Sequence, residues 1–435
     1  MHLPVEILEH ILLRCDGWTL LNARNASEIL QESVNRLGTR TRIWEWCCKE
    51  EIPSEQLVEL LSFYHKDGKE KWYHVYTNWR TWEHNPRILE PTLCTNLNSK
   101  SINSARKISS IAVSSGHIAV GSEDGRVALF TKHWQLLFDY RIVSVKLTNI
   151  TFIGNNDYNG DKEIDICLVI AFHKGISVLS YNGITKYHQD ISDIKSHSIY
   201  GNYICIEQVG GRMTIMEILK GNFNSRNNVK EHWFTRIYSP RCLTAYKMWN
   251  GKCTFLINGN INVLHYDKAD ITPMQEMKYV MGVKFNAPLL LDRYTTRILR
   301  DNVIINIYKN ADRSTTCNDI IEDYIEIIIM GADSQYSKKL FNVWDIFKSK
   351  ISCIFLYGNS FLIGTDIGTV YFYQVNNWKN FRLNEYASKQ IVGRHPIIGI
   401  AAKESEYERK FYVSSMFAVH EIIAWIPVSI TDYDL

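Results

Sequence analysis

A strand–turn–strand unit recurs in this chain, and its two clearest copies carry glycines at matching positions. One copy reads HIAVGSEDGRVALF at residues 117–130, and the other reads SFLIGTDIGTVYFY at residues 360–373. Gly125 in the first copy matches Gly368 in the second. Each copy predicts a β-hairpin with a tight turn, because glycine takes a positive φ without steric cost.

Weaker copies of this hairpin lie between and after the two clear ones. They occupy residues 167–181, 203–218, 253–266 and 411–425, and residues 281–348 hold at least one more. Four-stranded units at intervals of roughly forty to fifty residues predict a β-propeller, because an isolated blade cannot cover both of its faces but a closed ring can. We expect about seven blades, with six or eight as alternatives, and a pair of β-sandwiches is the other all-β fold to consider.

The spacing of these units and their Gly-x-x-x-Gly hairpins resemble the blades of WD-repeat proteins. The Trp-Asp pair that ends many such blades occurs only at Trp344-Asp345, and the Gly-His pair is effectively absent. The resemblance implies a WD-repeat-like propeller over residues 92–435.

In the first residues of the chain, apolar side chains recur with the period of a helix and not with that of a strand. Residues 3–13 read LPVEILEHILL, with Pro4 where a helix tolerates proline best, in its first turn. Apolar side chains then recur every three or four residues, which predicts an amphipathic helix that ends at Asp16-Gly17. The stripe consists of Ile7, Leu8, Ile11, Leu12 and Cys15.

Two more helices are predicted before residue 50. The second begins at about Thr19 and stops at Gly38, and a short third one carries Ile43, Trp44 and Trp46. A domain this small has too much surface for its volume to enclose all of its leucine and isoleucine. Part of the apolar stripe should therefore need a partner.

These residues resemble the F-box, the adaptor-docking segment of SCF-type ubiquitin ligase receptors. The match consists of Leu3-Pro-x-Glu-Ile-Leu-x-x-Ile-Leu, an aspartate, Leu20-Leu21 and a tryptophan at Trp44. The second half departs from the family, because Ala26-Ser-Glu-Ile-Leu-Gln31 stands where Val-Cys-Lys-x-Trp is usual. An N-terminal helical cap that packs on its own chain is the alternative.

The resemblance implies that residues 1–50 bind a Skp-type adaptor and, through it, a cullin. The adaptor-binding residues that it implies are Leu3, Pro4, Ile7, Leu8, Ile11, Leu12, Leu20 and Leu21.

Residues 51–91 are predicted to form a helical linker. Ser54 is a good N-cap for a helix that ends at Gly68, and Lys71 to His84 repeat large rings at helical spacing. The linker resembles that of F-box receptors in its length and its Trp-x-x-x-Tyr pattern, and it should join the two ends rigidly. Residues 92–107 are rich in asparagine and serine and predict a polar connector.

Composition limits the classes of partner. The net charge of +3 gives no reason to expect nucleic acid or a membrane surface. Acidic Glu6 and Glu9 lie where a secretory signal would be basic, and no apolar run approaches the ~20 residues of a membrane helix. Ten cysteines without a Cys-x-x-Cys pair suit reduced thiols, so we expect a cytoplasmic or nuclear protein.

A search for catalytic or metal-binding motifs finds none. Residues 155–163 alternate like a calcium loop but lack its glycine and its final glutamate, so a solvated hairpin loop is favoured. The chain has no Gly-x-Ser-x-Gly elbow and no His-x-x-x-His pair. We therefore expect no cofactor, no metal and no catalytic residue.

Arg293, Arg297 and Arg300 crowd one predicted blade, and Arg236 and Arg241 lie in another. The candidate substrate-binding residues are Arg293, Arg297, Arg300 and Arg241. In receptors of the kind that the chain resembles, arginines on one rim of the propeller bind acidic or phosphorylated peptides, which the planar guanidinium suits. Solvated loop arginines are the alternative.

Together these features predict an α+β multidomain protein, with an all-α F-box and helical linker followed by an all-β propeller. The function that the resemblance implies is the substrate-recognition subunit of an SCF-type ubiquitin ligase, which holds a protein substrate for ubiquitination and performs no covalent chemistry. A non-ligase scaffold with the same two parts is the first alternative. A propeller hydrolase or lyase with a helical cap is the second.

Overall fold

A computed structural model describes most of the chain. The described residues are 4–61, 70–84, 86–97, 106–114, 116–153, 167–180, 182–191, 194–200, 203–208, 212–218, 229–236, 243–249, 252–257, 260–265, 283–284, 294–300, 303–308, 323–330, 336–405 and 408–426.

Six helices precede the first strand of the described chain. They are α1 (Val5–Leu12), α2 (Gly17–Ala26), α3 (Glu28–Arg40), α4 (Ile43–Glu51), α5 (Ser54–Leu61) and α6 (Glu70–Thr81). The predicted second helix is therefore two helices. Ser27 separates them, because its side chain accepts a hydrogen bond from the Leu30 amide and caps α3. Gly38 lies inside α3 and does not end it.

The six helices share one apolar core. Leu12, Leu20 and Val34 from the first three helices pack with Trp44 of α4 and with Tyr76 of α6. The linker also contributes Leu57, Leu60 and Val75 to this core. The helices of residues 1–51 thus cover part of their apolar surface with the linker that follows them, and the predicted boundary at residue 50 does not interrupt the core.

The rest of the described chain is almost entirely antiparallel sheet. Six four-stranded sheets follow one another in chain order. Sheets one to three are β3 (Ile108–Val113), β4 (His117–Ser122), β5 (Arg126–Thr131), β6 (Leu136–Arg141); β7 (Leu147–Ile153), β8 (Cys167–Phe172), β9 (Gly175–Ser180), β10 (Thr185–Asp190); and β11 (Ile194–Tyr200), β12 (Tyr203–Gln208), β13 (Arg212–Ile218), β14 (Val229–Arg236). Sheets four to six are β15 (Leu243–Trp249), β16 (Lys252–Ile257), β17 (Asn260–His265), β18 (Val283–Lys284); β19 (Tyr294–Arg300), β20 (Val303–Tyr308), β21 (Tyr324–Met330), β22 (Tyr336–Asn342); and β23 (Ile351–Tyr357), β24 (Ser360–Thr365), β25 (Thr369–Gln374), β26 (Ser388–Ile391). A short helix, α7 (Val343–Phe347), lies between the last two of these sheets.

A seventh sheet joins the two ends of the strand region. Its members are β1 (Arg87–Ile88), β2 (Thr92–Asn96), β27 (Ile397–Glu404), β28 (Glu408–Ser415) and β29 (Ala418–Trp425). Both early strands pair with β29, and Leu93 lies opposite His420 in the register. The prediction of a polar connector over residues 92–107 is therefore wrong for its first five residues. Edge strands are held through backbone hydrogen bonds, so their side chains can stay polar.

The sheets are arranged in a circle. Strands of successive sheets lie against each other, as β3 does against β7 and β23 against β27, and β27 in turn lies against β3. Between sheets two and three, Val169 packs with Ile204. Antiparallel sheets in chain order, closed by strands from both ends of the region, form a β-propeller. This confirms the predicted order of N-terminal helices followed by a propeller.

The two clearest hairpins form as predicted, with β4 paired to β5 and β24 paired to β25. Gly125 has φ +80° and Gly368 has φ +78°, as the tight turns require. Among the described residues between 294 and 342, β19 pairs with β20 and β21 pairs with β22, and all four strands belong to sheet five.

Candidate protein-docking site

The helix α1 forms the N-terminal surface of the described chain. The carbonyl of Pro4 accepts hydrogen bonds of 3.1 Å from the amides of Ile7 and Leu8, which starts the helix at the predicted place. Glu9 on α1 forms an ion pair with Arg36 on α3 at 2.6 Å. This ion pair and the burial of Leu12 hold one side of α1 against α3.

The opposite side of α1 is left uncovered. Ile7 is 49% exposed and Ile11 is 50% exposed, although both are large aliphatic residues. A groove of about 310 Å³ lies on this side, lined by the two isoleucines together with Glu6, His10 and Arg14. Aliphatic side chains one helical turn apart, with charged residues around them, form a surface suited to another protein.

The structure divides the predicted adaptor-binding residues into three groups. Pro4, Ile7 and Ile11 are exposed, whereas Leu8 and Leu21 are half-buried against the helical core. Leu12 and Leu20 are buried in that core, so in this conformation they support α1 and do not offer a contact surface. Leu3 lies outside the described residues.

Further exposed apolar side chains within residues 5–46 were not among the predicted residues. They are Val5, Leu13, Trp18, Ile29 and Trp46. Trp18 and Trp46 are each about half exposed, which is unusual for tryptophan in a folded domain. Their helical positions could have been read from the sequence, but which side of each helix is buried depends on how the helices pack.

The helical unit is attached to the propeller through Trp82, which directly follows α6. Trp82 is fully buried, and the Arg409 guanidinium of β28 lies 4.0 Å from the centre of its ring. The Trp82 carbonyl accepts a hydrogen bond of 2.6 Å from Nδ2 of Asn359. The Asn359 Oδ1 accepts in turn from Arg409, at 2.8 Å.

A buried carboxylate completes this attachment. Oε1 of Glu404 accepts from Nε of Arg409 at 3.1 Å and from Nδ2 of Asn78 on α6 at 3.3 Å. Burial, together with the Glu404 charge, raises the pKa of the neighbouring Tyr357 hydroxyl well above its ordinary value, so it stays protonated. These hydrogen bonds join Asn78 and Trp82 of the helical unit to Asn359 and Glu404 of the propeller, and so hold the helices in one orientation on it.

Arg300, which was predicted to bind substrate, is buried where the linker meets the propeller. It is 5% exposed, and its Nη2 lies 2.6 Å from Oε2 of Glu59 on α5. The same carboxylate oxygen accepts from the Gly358 amide at 2.9 Å. Arg300 thus bonds the linker to the propeller, and a buried, paired guanidinium is not presented to a substrate. Arg293 and Arg241 lie outside the described residues, as does the side chain of Arg297.

Two further observations concern ions and membranes. Within the described ranges, no group of three or more His, Cys, Asp and Glu side chains is placed to hold a metal ion. None of the helices in those ranges is both long and apolar enough to cross a membrane.

No family model matches the chain, and no curated protein matches it. Solved structures resemble it in part. The WD40 domain of Neurospora crassa Pan2 is 10% identical, with a TM-score of 0.48 over 77% of this chain and 95% of that one. Sqt1 of Saccharomyces cerevisiae is 9% identical, with a TM-score of 0.45 over 79% of this chain and 100% of that one.

The N-terminal domain of Nup159 is similar to the same degree. It is 9% identical, with a TM-score of 0.49 over 79% of this chain and 96% of that one. At these identities and TM-scores the likenesses carry no argument about function. The class of protein is therefore defined by the chain's own architecture, a helical unit with an uncovered apolar face fixed to a β-propeller.

Proposed function

We propose that this protein is the substrate-recognition subunit of an SCF-type ubiquitin ligase. Residues 1–50 act as an F-box that binds a Skp-type adaptor, and through it a cullin, while the propeller binds a protein substrate. The chain itself catalyses no reaction. Each of the seven sheets found in the described residues is one blade of a WD-repeat-like propeller.

The observation that carries the proposal is the uncovered face of α1. Ile7 and Ile11 stay about half exposed after α5 and α6 have packed into the same helical core. A cap that served only its own propeller would have no reason to leave this face apolar. The exposed pair belongs to the Leu-Pro-x-Glu-Ile-Leu-x-x-Ile-Leu pattern that resembles the F-box.

The protein acts by holding an adaptor and a substrate close to each other. An adaptor on α1 and a substrate on the propeller are held at a fixed separation, because the Trp82, Asn359 and Arg409 contacts make the junction rigid. Holding two proteins on one rigid body raises their effective concentration toward each other. The ligase then transfers ubiquitin to a substrate that is already nearby.

The test is co-purification of a Skp-type adaptor with the double variant Ile7→Asp, Ile11→Asp. We expect a loss of affinity of about 100-fold or more, since an interface hot spot contributes on the order of 2 kcal/mol. Both side chains are already half exposed, so the charge should not unfold α1. The control Leu340→Asp, Ile391→Asp makes a matched change at exposed positions on β22 and β26. Undiminished adaptor binding in the α1 variant would refute the docking assignment.

A scaffold without ligase activity would pass the same binding test. The two functions differ in the fate of the proteins that the propeller binds. A ligase receptor predicts that these proteins accumulate when the receptor is removed, and that proteasome inhibition abolishes the difference. Partner levels that do not change would favour the scaffold.

A further inference from the structure

A cavity of about 210 Å³ lies where the helical linker meets the propeller. The first turn of α5 forms one wall, through Pro53 and Gln56. The propeller forms the others, including Arg300 at the end of β19 and Gly358 after β23. The cavity is remote in sequence from the uncovered face of α1 and shares no residue with it.

Gln56 is the unusual member of this wall. It is only 7% exposed, and its side-chain Nε2 has no hydrogen-bond partner in the described part of the chain. A buried amide donor that stays unsatisfied costs about 1–3 kcal/mol. Two other side-chain amides of the lining are already used, since Asn359 donates to Asn376 and Asn376 donates to the Glu83 carbonyl. The Gln56 donor is therefore left for a ligand.

The electrostatics favour an anion. Lys379 brings a positive charge to the cavity, whereas the charge of Arg300, which also lines it, is paired with Glu59. No acidic side chain lines the cavity within the described ranges. Glu59, one turn further along α5, is engaged with Arg300 and the Gly358 amide. The first turn of a helix also carries the positive end of the helix dipole, which adds to the attraction for negative charge.

The remaining surface is apolar. Val303 and Ile329 are buried at 2% and 4% exposure, and the half-buried ring of Trp378 lines the cavity beside them. Asn377 and Lys379 are exposed, which places the opening of the cavity at the loop that follows β25. A ligand that enters there meets a cation at the opening and an apolar wall inside.

We propose that this cavity binds a small organic carboxylate with a compact apolar body. The carboxylate accepts a hydrogen bond from Gln56 Nε2 and faces the Lys379 ammonium, while the body packs against Val303 and Trp378. The cavity volume of about 210 Å³ equals that of about seven water molecules, taking about 30 Å³ for each as in liquid water. Such a ligand would bridge the linker and the propeller, and its binding does not depend on the proposed docking of an adaptor.

Isothermal titration of the full chain with benzoate tests the proposal, with benzamide as the uncharged control of the same shape. Benzoate should bind saturably and at least tenfold more tightly than benzamide, because a hydrogen bond to a charged group contributes about 1.5–3 kcal/mol. Gln56→Leu should weaken benzoate at least tenfold for the same reason. Lys379→Gln should weaken it about two- to fivefold, as expected for an exposed charge.

The control Lys350→Gln removes the same charge from an exposed lysine that does not line the cavity, and it should leave benzoate affinity unchanged. Lys379 is exposed, so its variant folds whether or not Gln56→Leu does. Absence of saturable benzoate binding would mean that the cavity holds solvent only and would overturn the proposal. Equal affinity for benzamide, or benzoate affinity unaffected by Lys379→Gln, would overturn it as well.

Discussion

The guanidinium of Arg409 lies 4.0 Å from the centre of the Trp82 ring, and both side chains are fully buried. One belongs to the segment after the last linker helix and the other to a strand of the sheet that closes the propeller. Their contact combines a cation–π attraction with the hydrogen bonds that Arg409 makes to Glu404 and Asn359. Any force that turns the helical unit on the propeller must break this contact.

The first prediction concerns that contact. Arg409→Met should lower the free energy of unfolding by about 3–5 kcal/mol, because it leaves the Glu404 carboxylate buried without its cation. Urea denaturation measures the effect. The control Arg382→Met breaks an ion pair with Glu385 in which both side chains are more than half exposed, and it should change the stability by less than about 1 kcal/mol. Equal effects of the two substitutions would contradict the structural role of Arg409.

The second prediction concerns the linker. Glu59→Gln removes the charge that pairs with buried Arg300, and it should destabilise the protein by about 2 kcal/mol. The Gly358 amide donates to the same carboxylate, so its hydrogen exchange should become faster. Glu123→Gln is the matched control, since it breaks an exposed pair with Lys146. Unchanged exchange at Gly358 would show that the linker does not depend on this bond.

The third prediction concerns the hairpin turns. A Cβ added at Gly125 would lie 2.0 Å from the Val143 carbonyl oxygen, and one at Gly368 would lie 2.5 Å from the Gly393 oxygen. With positive φ at both sites, Gly125→Ala and Gly368→Ala should each cost about 2 kcal/mol or more in thermal or urea unfolding. Gly116→Ala should stay within about 0.5 kcal/mol, because nothing lies within 4 Å of its added Cβ. Tolerance of alanine at both turns would contradict the positive φ and the close contacts at these two glycines.

The fourth prediction concerns pH. Burial in β11 lowers the pKa of His197 from 6.5 to about 4, and its Nε2 is buried without a partner in the described part of the chain. The unfolded chain therefore takes up the proton first, and the free energy of unfolding falls as the pH drops from about 6.5 toward 4. The full effect is at most about 3 kcal/mol. His197→Leu should flatten this part of the profile in urea titrations at several pH values, and an unchanged slope would count against the assignment.

Local features of the fold were accessible from the sequence. The Pro4 start of α1, the hairpins around Gly125 and Gly368, and the change from helical to strand period after the linker all depend on residues within about ten positions of one another. Periodicity and turn chemistry report such short-range geometry directly. The uncovered face of α1 also belongs to the predicted apolar stripe. Packing buries Leu12 of that stripe and leaves Ile7 and Ile11 exposed.

The features that join distant parts of the chain were decided by tertiary structure alone. The strand β2 pairs with β29 through its backbone, which leaves no apolar pattern in the residues around Leu93. Arg300 was predicted to bind substrate from its place in an arginine cluster, yet it bonds Glu59, 241 residues earlier in the chain. The meeting of Trp82 with Arg409 is of the same kind. The type of a side chain determines which groups it can bind. Its actual partner depends on the closure of the propeller, because only the folded set of sheets brings residues so distant in sequence into contact.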